Sequence, residues 1–157
     1  SMSWVYSCGA GANYGTALES ALKMGETIHI PSCCYEIEEY IHGPNLQLTP
    51  QYNVIFFDGN DGASRRVEQV YKATRKVTNR AYLISNNPQL SRDGHVLSLS
   101  DTVSSELSPL VYLPFVQLLS FIVSNDLHSI YQHPLLKEFK AIAAAKTENF
   151  VNYDGDD

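Results

Sequence analysis

Short β-prone runs alternate with stretches of helical periodicity along this chain, and that alternation restricts it to folds in which helices connect parallel strands. Trp4-Val5-Tyr6-Ser7-Cys8 is the first run, and it ends at Gly9-Ala10-Gly11-Ala12. A helix follows, with Tyr14, Ala17, Leu18, Ala21, Leu22 and Met24 at i, i+3, i+4 spacing and Asn13 placed to cap it. Thr27-Ile28-His29-Ile30 reads as a second strand. A polar-acidic helical turn from Tyr35 to Ile41 then stops at His42-Gly43-Pro44, where Gly43 is expected at positive φ. Val54-Ile55-Phe56-Phe57 is continuously apolar, the mark of a strand covered on both faces, and Asp58 to Gly62 is the turn after it. From Ala63 to Thr78 the period is helical again, with Val67, Val70, Tyr71, Thr74 and Val77 on one side and a solvated basic face on the other. Ala81 to Ile84 and Val96 to Leu99 complete five strands. Leu110 to Val123 is a helix apolar nearly all round, so burial on more than one side is expected; a last helix runs from Pro134 to about Lys146. The pattern predicts an α/β fold, a three-layer αβα sandwich on a mainly parallel five-stranded sheet.

At 157 residues, with 44% hydrophobic and 18% charged, the chain suits one compact domain and excludes disorder. Its net charge of −6 and sequence pI near 5.3 argue against nucleic acid or an anionic membrane as partner. They leave room for a small phosphorylated ligand held by backbone amides at a helix start. Cys8, Cys33 and Cys34 make no disulfide framework, which points to a reducing cytoplasm. The stretch Leu110 to Val123, interrupted by Pro114 and Gln117, reads as too short to span a bilayer. Ser1-Met2-Ser3 reads as an expression remnant, residues 4–147 as the domain and 148–157 as a fraying acidic tail. The abrupt start at Trp4 suggests half of something longer.

Individual residues leave their chemistry open. Gly9-x-Gly11 lacks the third glycine of a dinucleotide fingerprint, so no nicotinamide cofactor is expected. Glu39-x-x-His42 and the pair His128 and His133 each lack a third ligand, so no metal is expected either. Lys23 and Glu26 at i, i+3 are either an ordinary solvated pair or an acid–base element, and His42 is either a helix-end residue or a proton carrier.

Three segments in order decide between these readings. Gly9-Ala10-Gly11-Ala12-Asn13-Tyr14, continued by Ala17-Leu18-Glu19-Ser20-Ala21-Leu22-Lys23-Met24-Gly25-Glu26, is the first. Glu39-Tyr40-Ile41-His42-Gly43-Pro44 is the second, and Pro109-Leu110-Val111-Tyr112-Leu113-Pro114-Phe115-Val116-Gln117-Leu118-Leu119 the third. Together they resemble the sugar isomerase (SIS) domain family. The match is to the second SIS domain of glucosamine–fructose-6-phosphate aminotransferases and fructosamine-6-phosphate deglycases, and it covers the chain up to about residue 130.

The resemblance implies a flavodoxin-like SIS fold acting on a sugar phosphate or amino-sugar phosphate, with no cofactor. Glu26 would be the base that moves a proton between C1 and C2 of an open-chain amino-ketose phosphate. His42 would handle ring opening and proton transfer to oxygen, and Lys23 would steady charge on an enediol oxygen. Gly9, Gly11, Asn13 and Glu39 would contact substrate. The resemblance also implies a homodimer in which His42 reaches into the neighbouring subunit's site, packed against a first SIS domain that carries the Ser/Thr-rich phosphate loop, so that this segment alone is inactive. Here Asp58 to Gly62 is acidic and cannot serve as that loop, and Pro134-Leu135-Leu136-Lys137-Glu138-Phe139-Lys140 replaces the aminotransferases' closing segment. A deglycase-like isomerase is therefore the first expectation. A non-catalytic sugar-phosphate sensor and the isomerase half of an aminotransferase are the alternatives.

Overall fold

The computed structural model describes residues 3–90, 93–99, 103–129 and 142. Five parallel strands, β1 (Trp4–Gly9), β2 (Ser32–Glu36), β3 (Tyr52–Asp58), β4 (Ala81–Ser85) and β5 (Val96–Ser98), form one sheet in the order β2-β1-β3-β4-β5. Among the described residues, four helices flank it: α1 (Ala12–Ile28), α2 (Ile37–Ile41), α3 (Ser64–Thr74) and α4 (Ser108–Leu127). The expected three-layer α/β sandwich is therefore present. Its strand order reverses between β1 and β3, and the carboxyl ends of strands at such a switch point are where open α/β sheets generally place a ligand.

Side-chain alternation along each strand divides the core into two. On one face, Tyr6, Cys8, Val54, Phe56 and Leu83 pack under α2 and α3. Tyr35, Tyr6, Tyr40, Phe56 and Tyr71 meet there edge to face, with ring centroids 5.1–6.3 Å apart. On the other face, Val5, Ile55, Phe57 and Ile84 pack under Ala17, Met24 and Ile28 of α1 and Tyr112 and Val116 of α4. β3 is buried along its whole length, as its apolar run requires.

Several expectations are corrected. The predicted strand Thr27–Ile30 does not form: α1 runs on to Ile28, whose side chain completes the α1 core stripe, and the strand lies later, at Ser32–Glu36. Gly11, not Asn13, is the N-cap of α1, and Asn13 is buried inside the first turn. Gly43 sits at φ 170°, extended backbone rather than a left-handed cap. α3 ends at Thr74, four residues short of the predicted end.

α4 differs in both length and burial. With the 3-10 turn before it, it spans Ser105–Leu127, long and apolar enough by length and composition to cross a membrane, so the reading of its apolar stretch as too short does not hold. Here it packs on the sheet and α1 through Ser108, Tyr112, Val116, Ser120 and Ser124, a single i, i+4 stripe. The buried hydroxyls of Ser120 and Ser124 donate to the carbonyls of Gln117 and Phe121, so small residues let the helix approach closely at no unpaired polar cost. Leu110, Leu118, Phe121 and Ile122 remain exposed, so burial on several sides is not found. The predicted last helix from Pro134 and the tail 148–157 lie outside the described residues, apart from Ile142.

Candidate functional site

The turn at the switch point is built on two glycines. A Cβ on Gly9 would stand 2.3 Å from the Asn13 carbonyl oxygen, so the end of β1 and the start of α1 can meet only without a side chain there. Gly11 takes φ +54°, the left-handed region, which turns the chain into the helix. Asn13, immediately inside, is fully committed to the protein: its Nδ2 donates to the Ser108 hydroxyl at 2.8 Å and its Oδ1 accepts from the Thr16 hydroxyl at 3.0 Å.

On the neighbouring strand of the switch point stands a residue that the sequence reading did not single out. Asp58 ends β3 with 2% exposure. Its Oδ2 accepts from the Ser85 hydroxyl at 2.7 Å, and its Oδ1 accepts from Asn60 N–H at 3.0 Å and from the Ser64 hydroxyl. Its backbone carbonyl accepts from the Tyr112 hydroxyl at 2.7 Å. The Asp61 carboxylate in turn accepts from Ala63 N–H at 2.8 Å, beside the start of α3. The positive end of that helix, which could favour a phosphate, already faces the loop's own carboxylates. The one available sequence signal was a carboxylate closing a fully apolar strand.

The residues expected to carry chemistry lie elsewhere. Glu26 is exposed on the last turns of α1, and its Oε2 accepts from Lys23 Nζ at 2.8 Å. Lys23 also lies 3.5 Å from Glu19, and its pKa is raised chiefly by the hydrogen bond to Glu26. At 1.5 Å per residue, the thirteen steps from Asn13 to Glu26 put the glycine turn about 20 Å away. Gly9, Gly11 and Asn13 therefore do not share a site with Glu26 within one chain.

His42 follows α2 on the opposite face of the sheet from α1. Its Nδ1–H donates to the Glu38 carbonyl at 2.6 Å, which in the neutral ring leaves the lone pair on Nε2. Glu39 closes the capping box of α2: its carboxylate accepts from Glu36 N–H at 3.3 Å while the Glu36 carboxylate accepts from Glu38 N–H. Glu38 pairs in fork geometry with Arg66 of α3 at 2.7 and 3.1 Å, and that hydrogen-bonded guanidinium holds its carboxyl below the usual range. The acidic turn thus fixes α2 and presents the imidazole edge outward. A single chain brings Lys23 and Glu26 together and leaves His42 apart from them.

No protein-family model matches the chain. Among curated proteins it is 31% identical over 122 residues to the isomerizing glutamine–fructose-6-phosphate aminotransferase of Methanothermobacter thermautotrophicus, covering 75% of this chain and 20% of that protein. The chain spans about a fifth of the length of the curated relatives it matches. Among solved structures, a provisionally assigned phosphosugar isomerase of Clostridium difficile 630 matches with a TM-score of 0.78 and 22% identity, over 94% of this chain and 41% of that one. The C-terminal domain of glucosamine-fructose-6-phosphate aminotransferase from Francisella tularensis matches with a TM-score of 0.65 and 25% identity, over 77% of this chain and 35% of that one. Sequence and fold together bear out the resemblance to the sugar isomerase (SIS) domains of such proteins.

Proposed function

We propose that this SIS domain is one half of a phosphosugar isomerase or fructosamine-6-phosphate deglycase of a reducing cytoplasm. The single observation that carries the reading is the exposed Lys23–Glu26 pair, a carboxylate open to a ligand and held by one ammonium 2.8 Å away. Glu26 takes the proton from C1 of the open-chain amino-ketose phosphate and returns one to C2. Lys23 meets the negative charge that develops on the intervening oxygen. His42, through Nε2, carries the proton to and from sugar oxygen. Because His42 and Glu26 occupy opposite faces, the site is completed by a second copy in a two-fold dimer. The loop at Asp58–Ser64 is closed by its own carboxylates, so the sugar phosphate is held by a first SIS domain, and this segment alone is inactive.

The test is Glu26→Gln in the full-length protein. Exchange of the substrate's C1 proton with solvent should be lost while sugar-phosphate binding persists; unchanged exchange overturns the assignment.

Two other readings each have an observation behind them. The separation of Glu26 from His42 favours a sugar-phosphate sensor that binds without turnover, in which case tight binding would accompany no proton exchange at all. The 31% identity to an aminotransferase favours the isomerase half of such an enzyme, which a glutamine-hydrolysing activity in the full-length protein would reveal.

A further inference from the structure

Six of the chain's eleven Lys and Arg residues fall between positions 63 and 80, where Glu68 is the one acid, although the whole chain carries a net charge of −6. Arg66 and Lys72 are paired, with Glu38 and Glu68. Arg75, Lys76 and Arg80 gather instead around a cleft of about 440 Å³ at the end of α3, between the turn 75–79 and Pro50 at the approach to β3. No carboxylate lines it. Among the described residues neither Arg75 nor Lys76 forms an ion pair.

We propose that this cleft binds a compact, multiply charged anion whose recognised group is a phosphoryl. The turn that carries the cations is fastened in place by its own bonds. The buried Thr78 hydroxyl, shared between the Pro50 and Tyr52 carbonyls at 3.1 and 2.9 Å, accepts Arg80 N–H at 3.0 Å and so ties the turn to the start of β3. Both guanidiniums are half-buried, and each is held on a backbone carbonyl: Arg75 Nη1 donates to Asn79 at 2.8 Å, Arg80 Nη1 to Gln51 at 3.4 Å. The Arg75 guanidinium makes no other bond among the described residues, which leaves most of its donors for a ligand. The Asp93 carboxylate feels Arg75 without touching it and is taken up by the Tyr71 hydroxyl at 2.8 Å and His95 N–H at 2.9 Å. The dipole of α3 favours cations at its end, which accounts for Arg75 and Lys76. Arg80 stands beyond the turn, at the approach to β4, and still lines the same cleft.

The lining also restricts the ligand. Pro50 and Val77 are its apolar walls, too few to hold an apolar body, and no aromatic ring is present to stack on a nucleobase. Three cations and the Asn79 amide match two linked phosphoryl groups, or one phosphoryl group on a sugar whose hydroxyls meet Asn79. The cleft lies at the amino edge of the sheet, about 16 Å along α3 from the loop after Asp58, so it is separate from the switch point. The inference is independent of the chemistry assigned to Glu26, Lys23 and His42.

Titration of the chain with inorganic diphosphate at low ionic strength, followed residue by residue in amide NMR spectra, tests it. Saturable shifts should concentrate on residues 75–80, and inorganic phosphate should move the same residues with lower affinity. Lys76→Gln, which breaks no bond of the described fold, should weaken diphosphate binding about tenfold, and Arg75→Gln by at least as much. Glucose 6-phosphate separates the two sources: tighter binding than inorganic phosphate at these residues identifies a phosphorylated sugar, and equal or weaker binding identifies the free phosphate or diphosphate. Shifts centred on residues 9–14 or 58–64 instead of 75–80 would overturn the proposal. So would an affinity unchanged in Lys76→Gln, or no saturation by about 10 mM diphosphate, where even a millimolar site is nearly filled.

Discussion

The Asn13 side-chain amide donates to the Ser108 hydroxyl at 2.8 Å, tying the first turn of α1 to the first turn of α4 across 95 residues of chain. Both residues are buried, and Ser108 passes the connection on to the Ser105 carbonyl at 2.7 Å. Asn13→Ala should cost about 1–3 kcal/mol, because it leaves the buried Thr16 hydroxyl without its acceptor and removes the amide that donates to Ser108. The denaturant midpoint should fall with an unchanged slope. Adding Ser108→Ala should cost less than the sum of the two single changes, since the pair shares one bond. Additive costs would show that the two side chains act separately.

Gly9 and Gly15 make opposite demands. A methyl at Gly9 would meet the Asn13 carbonyl oxygen at 2.3 Å, backbone that cannot swing aside, whereas a methyl at Gly15 meets nothing within 4 Å. Gly9→Ala should destabilise by about 3 kcal/mol or more through overpacking. Gly15→Ala, in the interior of α1, should stabilise by roughly 0.5–1 kcal/mol. Thermal unfolding of the two variants should move in opposite directions from the parent. A common direction would contradict the close strand–helix approach.

The opposite-face placement of Glu26 and His42 makes a prediction that no activity loss alone could supply. Full-length Glu26→Gln and His42→Asn should each be inactive. Unfolded together and refolded as a mixture, they should regain up to about a quarter of the parental activity, because half the random dimers are mixed and each of those has one intact site of two. If one chain supplied both groups, the mixture would stay inactive.

Much of the architecture is legible in local sequence because its signals are local. The run Val54–Phe57 announces a doubly covered strand, and Gly9 and Gly11 announce a tight turn into a helix. β2 was obscured because it is an edge strand, half exposed and without an apolar run. Thr27 and Ile28, β-prone by composition, belong instead to a helix that uses Ile28 to reach the core. The polar cluster at the switch point was hidden for another reason. Asp58 meets Ser85 only through the β3–β4 register, and Asn13 meets Ser108 only when α4 folds back over α1. Glu26 and His42 were legible as residue types in motifs, but their placement on opposite faces follows from the reversal of strand order, which no local pattern encodes.

High pH should unfold this domain through protons that its interior retains. Burial, reinforced by the nearby Glu39 and Cys33, pushes the Cys34 thiol from its ordinary 9.0 up to about 11. Burial next to the Asp58 charge pushes the Tyr112 hydroxyl from 10.0 up to about 12. Burial also raises Tyr40 and Tyr71. Each group is an acid whose neutral form the folded state prefers, so the unfolded chain releases these protons first as pH rises. Their contribution is complete below pH 9 and is lost as pH climbs through about 11 and 12. Unfolding midpoints measured in urea should therefore be flat from pH 7 to 9 and fall steeply above it. Tyr112→Phe should lower the plateau by about 1 kcal/mol, through loss of the bond to the Asp58 carbonyl, and make the alkaline fall shallower. A variant with the same alkaline slope as the parent would show that Tyr112 keeps no proton in the folded state that it gives up on unfolding.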